Sequence, residues 1–316
     1  MLRLKLPCSL AAVGVVCLGA SGLACAQATN PDLQTAVSRA MAGKNGTAVV
    51  LDVAAGNVLA SYRPDVAARR LAFPGSSIKT FTLLALLQSG KVNSATALIC
   101  KRPLTIAGHR LDCPHPDTHN PLDPVEALAY SCNSYFTSVA IRLSPQQLHN
   151  AFIADGFASR TGLAQKEASG SVALASTPEQ LQLQAIGEWG VKITPLELLR
   201  AYRNLAVLGD KNGDAELRLI LSGLEGSTTY GMARLAQPES SVRVAGKTGT
   251  SRAEEGAWTH AWFAGWAPAE KPKIVVVVFF EKGTGGVDAA TAARAIFAAY
   301  AQSAAVKPAE FSGRPQ

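Results

Sequence analysis

The sequence predicts an α+β fold, with one antiparallel sheet flanked by N- and C-terminal helices and a helical lobe inserted between early and late strands. Three observations predict it. A β-rich stretch at residues 47–62, broken by the turn Ala54-Ala55-Gly56-Asn57, reads as an early hairpin. The middle of the chain alternates helical patterns with proline-rich loops. The last third returns to apolar or alternating runs at residues 242–250, 261–267 and 273–280, joined by short turns. Short turns favour antiparallel neighbours, so the early hairpin and the late strands are expected in one sheet.

In chain order, residues 1–26 read as a secretory leader. Arg3 and Lys5 form its positive start, residues 10–23 its apolar run, and Ala24-Cys25-Ala26 a small-residue cleavage site. The expected mature domain is 27–316, exported and periplasmic or associated with the cell envelope. An uncleaved anchor or a lipid on Cys25 is the alternative, but the apolar run is short for a membrane span. Residues 31–42 read as an amphipathic helix, with Pro31 at its start and glycines at 43 and 46 as its stop. Strands follow at 47–53 and 58–62. Residues 63–73 read as irregular, and a helix runs from Ser76 to about Gln88, where Ser89-Gly90 ends it.

Prolines and histidines crowd residues 91–122, which predicts loops. Residues 124–143 read as one helix, and Ser144-Pro145 opens the next as cap and first-turn proline. A further amphipathic helix spans 197–208, and an alanine-rich helix at 289–301 closes the fold. No repeat or linker divides this into independent domains.

Apolar residues make up 48% of the chain and charged residues 17%, which excludes a disordered chain or a coiled coil. The formal net charge of +7, part of it in the leader, suits an anionic wall or membrane surface. No Lys/Arg run with interleaved aromatics points to nucleic acid. Of the six cysteines, Cys100, Cys113 and Cys132 follow the leader. In an oxidising compartment Cys100 and Cys113 are close enough in sequence for a disulfide. Closing that proline-rich loop would contribute about 3 kcal/mol in the chain-entropy description. Zinc competes for the same region, through Cys113, His115, Asp117 and His119. That spacing matches no closed four-ligand pattern, so neither a metal nor a cofactor is expected.

The chemistry is carried by Pro74-Gly75-Ser76-Ser77-Ile78-Lys79. On a helix, positions i and i+3 share a face, so the Ser76 hydroxyl and the Lys79 amine can meet. A hydroxyl becomes a competent nucleophile once a base takes its proton, and a lysine does so only when its pKa is depressed. Alone the pattern is common by chance, and a helix-capping serine before a solvated lysine is the plainer reading. Two further motifs follow in order: Ser131-x-Asn133 within the helical middle, and Lys247-Thr248-Gly249-Thr250 at the end of a strand. Together they are specific.

With this triplet the chain resembles the penicilloyl-serine transferases, the penicillin-binding proteins and serine β-lactamases. The likeness extends to the hairpin at 47–60, the approach to the second motif at 123–136, the segment around Ala185-Ile186-Gly187 and Ile193-Thr194-Pro195-Leu196, and the strands at 262–280. It implies that Ser76 attacks the carbonyl between two D-alanines of a peptidoglycan stem peptide and forms an acyl-enzyme. Lys79 would accept the Ser76 proton, with Lys247 nearby helping to keep it neutral. Ser131 would relay the proton to the leaving amine, and Asn133 would orient Lys79 and bind the substrate amide. Lys247, Thr248 and Thr250 would hold the substrate carboxylate, while Gly249 leaves room for the peptide along the strand edge. Backbone N–H groups of Ser76 and Thr250 would form the oxyanion hole. The implied partners are D-Ala-D-Ala stem peptides, β-lactams as covalent inhibitors, and proteins of cell-wall synthesis.

Two departures accompany the likeness. Cys132 stands in the middle of the second motif, and Gly187-Glu188-Trp189-Gly190 places a glutamate and a tryptophan where smaller or neutral residues are expected. The domain looks minimal and stand-alone. Three other functions compete with a D,D-transpeptidase or D,D-carboxypeptidase. A β-lactamase needs a deacylating base, for which Glu167 is the candidate, although Ser171 replaces the asparagine expected after it. A β-lactam sensor would hang from membrane spans. A Ser/His/Asp hydrolase would need a Gly-x-Ser-x-Gly turn.

Overall fold

The computed structural model describes residues 30–210 and 214–306. The expected leader, with Cys25, lies outside the described residues. The first helix, Pro31–Met41, begins where Asn30 Oδ1 accepts the amides of Asp32 and Leu33, each at 3.1 Å. The chain then forms the hairpin of β1, Gly46–Asp52, and β2, Val58–Tyr62. After the helical middle come β3, Ala245–Arg252, β4, Thr259–Ala267, and β5, Ile274–Phe280. All five join one antiparallel sheet in the order β2-β1-β5-β4-β3. β5 pairs with β1 from Gly46↔Phe280 to Asp52↔Ile274, which closes the first and last thirds of the chain into one layer.

The run Ile-Val-Val-Val-Val-Phe-Phe of β5 is buried on both faces, so alternation places successive side chains in different cores. Val276, Val278 and Phe280 pack with Leu33 and Val37 of the first helix and with Ile296 and Phe297 of the last, Ala290–Val306. Val275, Val277 and Phe279 face the helical lobe, where Leu198, Leu199 and Tyr202 of the helix Pro195–Asp210 meet Phe81 and Leu86 of the helix Lys79–Gln88.

The middle differs from expectation in four places. Ser76 sits in a 3-10 turn, Gly75–Ile78, and the α-helix begins only at Lys79. The helix expected over 124–143 is two helices, Pro124–Ala129 and Asn133–Ala140, because Ser131 takes a left-handed backbone with φ 56°. Residues 63–73 include the short helix Pro64–Arg69. Residues 91–122 contain a two-stranded ladder, Thr105–Ile106 with His109–Arg110. Helices Pro178–Ala185 and Ala215–Thr229 were not singled out by the sequence patterns. Among the described residues, no helix is long and apolar enough to cross a membrane.

Candidate active site

The turn that carries Ser76 is fixed by what it packs against. Gly75 has φ 53°, and a Cβ there would lie 2.4 Å from the Thr250 carbonyl oxygen. On the facing strand a Cβ on Gly249 would lie 2.4 Å from the Pro74 oxygen and 3.0 Å from the Ser77 amide. Two glycines therefore let the turn lie flat against β3. Gly249 opens space for the protein's own turn, whereas the sequence had suggested that its space serves the substrate. Ser251 Oγ ties the strand to the chain just before the turn, donating to the Phe73 oxygen at 2.6 Å.

One helical turn beyond Ser76, Lys79 is fully buried. Its Nζ donates to the Ser131 carbonyl at 2.8 Å and to Ser131 Oγ at 3.4 Å, and makes a short bond to Asn133 Oδ1. The break between the two helices at Ser131 permits this, since the strained residue turns both its carbonyl and its hydroxyl toward the lysine. Asn133 is oriented in turn by its Nδ2, which donates to the Leu111 oxygen at 2.9 Å. Burial pushes the Lys79 pKa down from its ordinary value to about 8, opposed by the nearby Cys113, Cys132 and Glu188. Lys247, also fully buried, donates to the Thr248 oxygen at 3.1 Å. Burial first and the Lys79 charge second hold it well below the ordinary lysine value. Burial, and not a Lys247 charge, is therefore what lowers the Lys79 pKa.

Ser76, Ser131, Asn133, Thr248 and Thr250 line one cavity of about 380 Å³. Lys79, bonded to Ser131 and Asn133, and Lys247 are buried and do not line it, and Gly249 packs against the turn that carries Ser76. Thr250 Oγ1 accepts the Gly285 amide at 2.9 Å, which anchors the cavity rim to the segment before the last helix. Two residues outside the three motifs also belong here. Glu188 lines the cavity, and the Tyr202 hydroxyl donates to the Ser77 carbonyl at 3.0 Å. Glu188 was visible only as a departure in the Gly187–Gly190 stretch, and Tyr202 carries no local signal.

Glu167 is elsewhere. It accepts from Thr161 Oγ1 at 2.9 Å and from the amides of Thr161, Gly162 and Ala164, and so closes a loop beside Arg69 and Arg160. Burial raises its pKa, but the bonds from those amides and the Thr161 hydroxyl outweigh burial and hold it below the ordinary value. A carboxylate so satisfied has no capacity left for a catalytic water.

The cysteines form a second cluster directly behind the second motif. Cys100, Cys113 and Cys132 are free thiols, with Sγ–Sγ distances of 3.5 Å for Cys100–Cys113 and 3.7 Å for Cys113–Cys132. The expected Cys100–Cys113 disulfide is not formed, the separation being well beyond the roughly 2.05 Å of an S–S bond. Cys132 caps the helix that begins at Asn133 by accepting the Tyr135 amide at 3.4 Å. With His115, the three thiols place four donor atoms within 4.8 Å of one another. That is the donor set of a closed tetrahedral zinc centre, and the sulfur spacings approach the roughly 3.8 Å edge that zinc–sulfur bonds of about 2.3 Å imply. Asp117 and His119, grouped with Cys113 and His115 in the sequence, are exposed and lie outside the cluster.

Residues 46–300 match the family described as penicillin binding protein transpeptidase domain. The chain belongs to that family. The peptidoglycan D,D-transpeptidase MrdA of Acinetobacter baumannii is 22% identical over 84% of this chain and 52% of its own. The stage V sporulation protein D of Bacillus subtilis is 28% identical over 68% of this chain and 39% of its own. PbpA of Mycobacterium tuberculosis, another peptidoglycan D,D-transpeptidase, is 28% identical over 72% and 55%. The chain thus spans about half the length, or less, of these curated relatives. Its fold matches the D,D-transpeptidase domain of a peptidoglycan glycosyltransferase from Eggerthella lenta with a TM-score of 0.76, at 22% identity, covering 88% of this chain and 83% of that one. Pseudomonas aeruginosa PBP2, solved with WCK 5153, superposes equally well, with a TM-score of 0.76 at 22% identity over 86% of this chain and 77% of that one. The penicillin-binding transpeptidase fold is therefore the frame that brings these three motifs together.

Proposed function

We propose that this transpeptidase domain is an exported peptidoglycan D,D-transpeptidase that works through an acyl-Ser76 intermediate and binds penicillin covalently. The observation that carries the proposal is the neutralisable Lys79, buried one helical turn from Ser76 and bonded to both Ser131 and Asn133. Lys79 takes the Ser76 proton as the oxygen attacks the carbonyl between two D-alanines. Ser131 carries that proton on to the departing amine. Asn133, with one amide group held by Leu111, keeps Lys79 in place and faces the substrate peptide. Thr248 and Thr250, in the cavity wall, bind the terminal carboxylate, whose negative charge would raise the depressed Lys247 pKa and draw a proton onto that amine. The amides of Ser76 and Thr250 receive the oxyanion, each worth about 3 kcal/mol at the transition state.

Export rests on the leader read at residues 1–26. Peptidoglycan stem peptides are the substrates this chemistry fits, and β-lactams react as their mimics. Cell-wall synthesis proteins are the proposed partners. A solved relative, 25% identical over 90% of this chain and 62% of its own, belongs to a peptidoglycan synthase complex that coordinates polymerization and crosslinking.

The test is the intact mass of the protein after mixing with benzylpenicillin. Wild type should gain one penicilloyl group, mapped by peptide analysis to Ser76, and Ser76→Ala should gain none. Undiminished labelling of Ser76→Ala would overturn the assignment.

A further inference from the structure

Three thiols and an imidazole meet behind the second motif, where no step of the proposed acylation uses them. Cys113, His115 and Cys132 are buried and Cys100 is half-buried, with their donor atoms within 4.8 Å of one another. One disulfide does not account for this arrangement. Cys113 stands 3.5 Å from Cys100 and 3.7 Å from Cys132, so it has two partners at nearly equal range. Either pairing strands the third thiol and the imidazole, whereas one tetrahedral ion uses all four. The sequence grouped Cys113 and His115 with Asp117 and His119. The fold replaces those two exposed residues by Cys100 and Cys132, and so completes a four-ligand set.

The surroundings suit a metal thiolate. The Ser134 amide donates to Cys113 Sγ at 3.3 Å and the Tyr135 amide to Cys132 Sγ at 3.4 Å, bonds that strengthen when the sulfur carries negative charge. The Pro116 oxygen lies 2.7 Å from His115 Nδ1 and accepts its proton, which leaves Nε2 as the ligand nitrogen. Arg102 Nη2, 3.0 Å from the same Nδ1, has its own acceptor in the His115 oxygen at 2.6 Å. The Arg102 guanidinium also stands beside Cys100, and its Nε is buried with no hydrogen-bond partner among the described residues. A zinc ion with three thiolates and a neutral imidazole carries one negative charge, and this guanidinium is placed to balance it.

What such an ion would hold is a wall of the cavity. Between residues 99 and 121 the buried side chains are Ile106, Cys113 and His115, so this loop has almost no core of its own. Yet it supplies Asp112 and Pro114 to the cavity, and the Leu111 oxygen that orients Asn133. Cys132 lies between Ser131 and Asn133, and Cys113 follows Leu111 by two residues. We propose that Cys100, Cys113, His115 and Cys132 bind one zinc ion, which staples the loop at 99–121 to the second motif and fixes Ser131 and Asn133 against Lys79. Three S–H bonds give way to three Zn–S bonds, three protons go to solvent, and no electron is transferred. The bearing on Ser131 and Asn133 rests on the acyl-serine reading above, and the metal site itself does not.

The experiment takes the full chain, freed of metal by a chelator with a reductant present, and titrates it with zinc or with cobalt(II). Wild type should take up one zinc per chain by native mass, and cobalt should give the intense absorption of a tetrahedral cobalt thiolate. Zinc should also raise the melting temperature as its concentration rises. Cys100→Ser leaves the second motif intact and should bind zinc at least about 100-fold more weakly, since even a hydrogen-bond partner of a ligand is worth about 10–100-fold. His119→Gln should bind zinc as wild type does. Metal-free wild type should be acylated by benzylpenicillin about 10-fold more slowly, with the rate restored by zinc. A wild type without the cobalt–thiolate absorption overturns the site, whether or not the variants fold. So does equal zinc binding by Cys100→Ser, or an exported protein isolated with a Cys100–Cys113 disulfide, two hydrogens lighter and free of zinc. Zinc binding with no change in acylation on its removal overturns the tie to Ser131 and Asn133. Absence of any adduct on Ser76, with zinc or without, instead overturns the acyl-serine reading, which keeps the two failures apart.

Discussion

Lys79 can accept a proton from Ser76 only as a neutral amine, and burial sets when that is so. With its pKa lowered to about 8, the amine is charged at pH 6 and neutral at pH 9. The second-order rate of acylation by benzylpenicillin should therefore fall about tenfold per unit below pH 8 and level off above it. Stopped-flow or quenched mass measurements across pH 6 to 10 give the profile, and a flat one would remove Lys79 as the base. The same shift acts on stability in a definite direction. The unfolded chain binds this proton from near 10.5 downward, while the folded protein refuses it until about 8. Stability from Lys79 is thus fully present above 10.5 and is lost as the pH falls toward 8. Lys247, lowered well below its ordinary value by burial and then by the Lys79 charge, adds a penalty of the same sign.

At the scale of elements, the site is a 3-10 turn laid on an edge strand. Gly249→Ala would put a methyl group 2.4 Å from the Pro74 oxygen and force the turn off β3. Acylation should fall at least about 100-fold, since a displacement of about 1 Å can cost that much. Gly90→Ala is the control. It has φ 66° but nothing within 4 Å of its Cβ, so it should cost about 1 kcal/mol of stability and leave acylation as in wild type. Equal acylation by the two variants would mean that the turn–strand contact does not position Ser76. These elements also show where the sequence was legible. β5 is a plain apolar run, the first helix carries Asn30 and Pro31, and the three motifs stand in order, so the sheet and the motif residues that the fold brings to one cavity were legible as letters. The break at Ser131 could not, because helical periodicity runs straight through it and only tertiary bonds to Lys79 reward its left-handed backbone. The thiol cluster was half legible. Cys113 and His115 are neighbours in sequence, but Cys100 and Cys132 reach them only through the fold. Glu167 and Glu188 look alike as letters, and what separates them is the number of amides each one meets.

At the scale of the molecule, the sheet and the helical lobe must hold a fixed relation, because Thr248 and Thr250 come from one and Ser131 and Asn133 from the other. The helix Pro195–Asp210 lies between them, and Tyr202 at its centre is fully buried. Its ring packs edge-on to Phe81 with centroids 5.4 Å apart and tilts toward Trp266 of β4 at 6.3 Å. Its hydroxyl bonds the Ser77 carbonyl at 3.0 Å and Thr80 Oγ1 at 2.8 Å. One side chain thus touches the sheet, the lobe and the turn that carries Ser76. Tyr202→Phe keeps the packing but leaves the Ser77 oxygen and the Thr80 hydroxyl unsatisfied, a cost of about 1–3 kcal/mol. For a domain of this size the melting temperature should fall by about 2–6 °C. Acylation should slow as well, but far less than in Lys79→Ala, because the turn loses a tether and keeps its base. Thermal unfolding and penicillin acylation of the same preparation read both quantities. A stability loss with an unchanged acylation rate would confine Tyr202 to the core, while a loss in both marks the helix as the piece that keeps the two halves of the site in register.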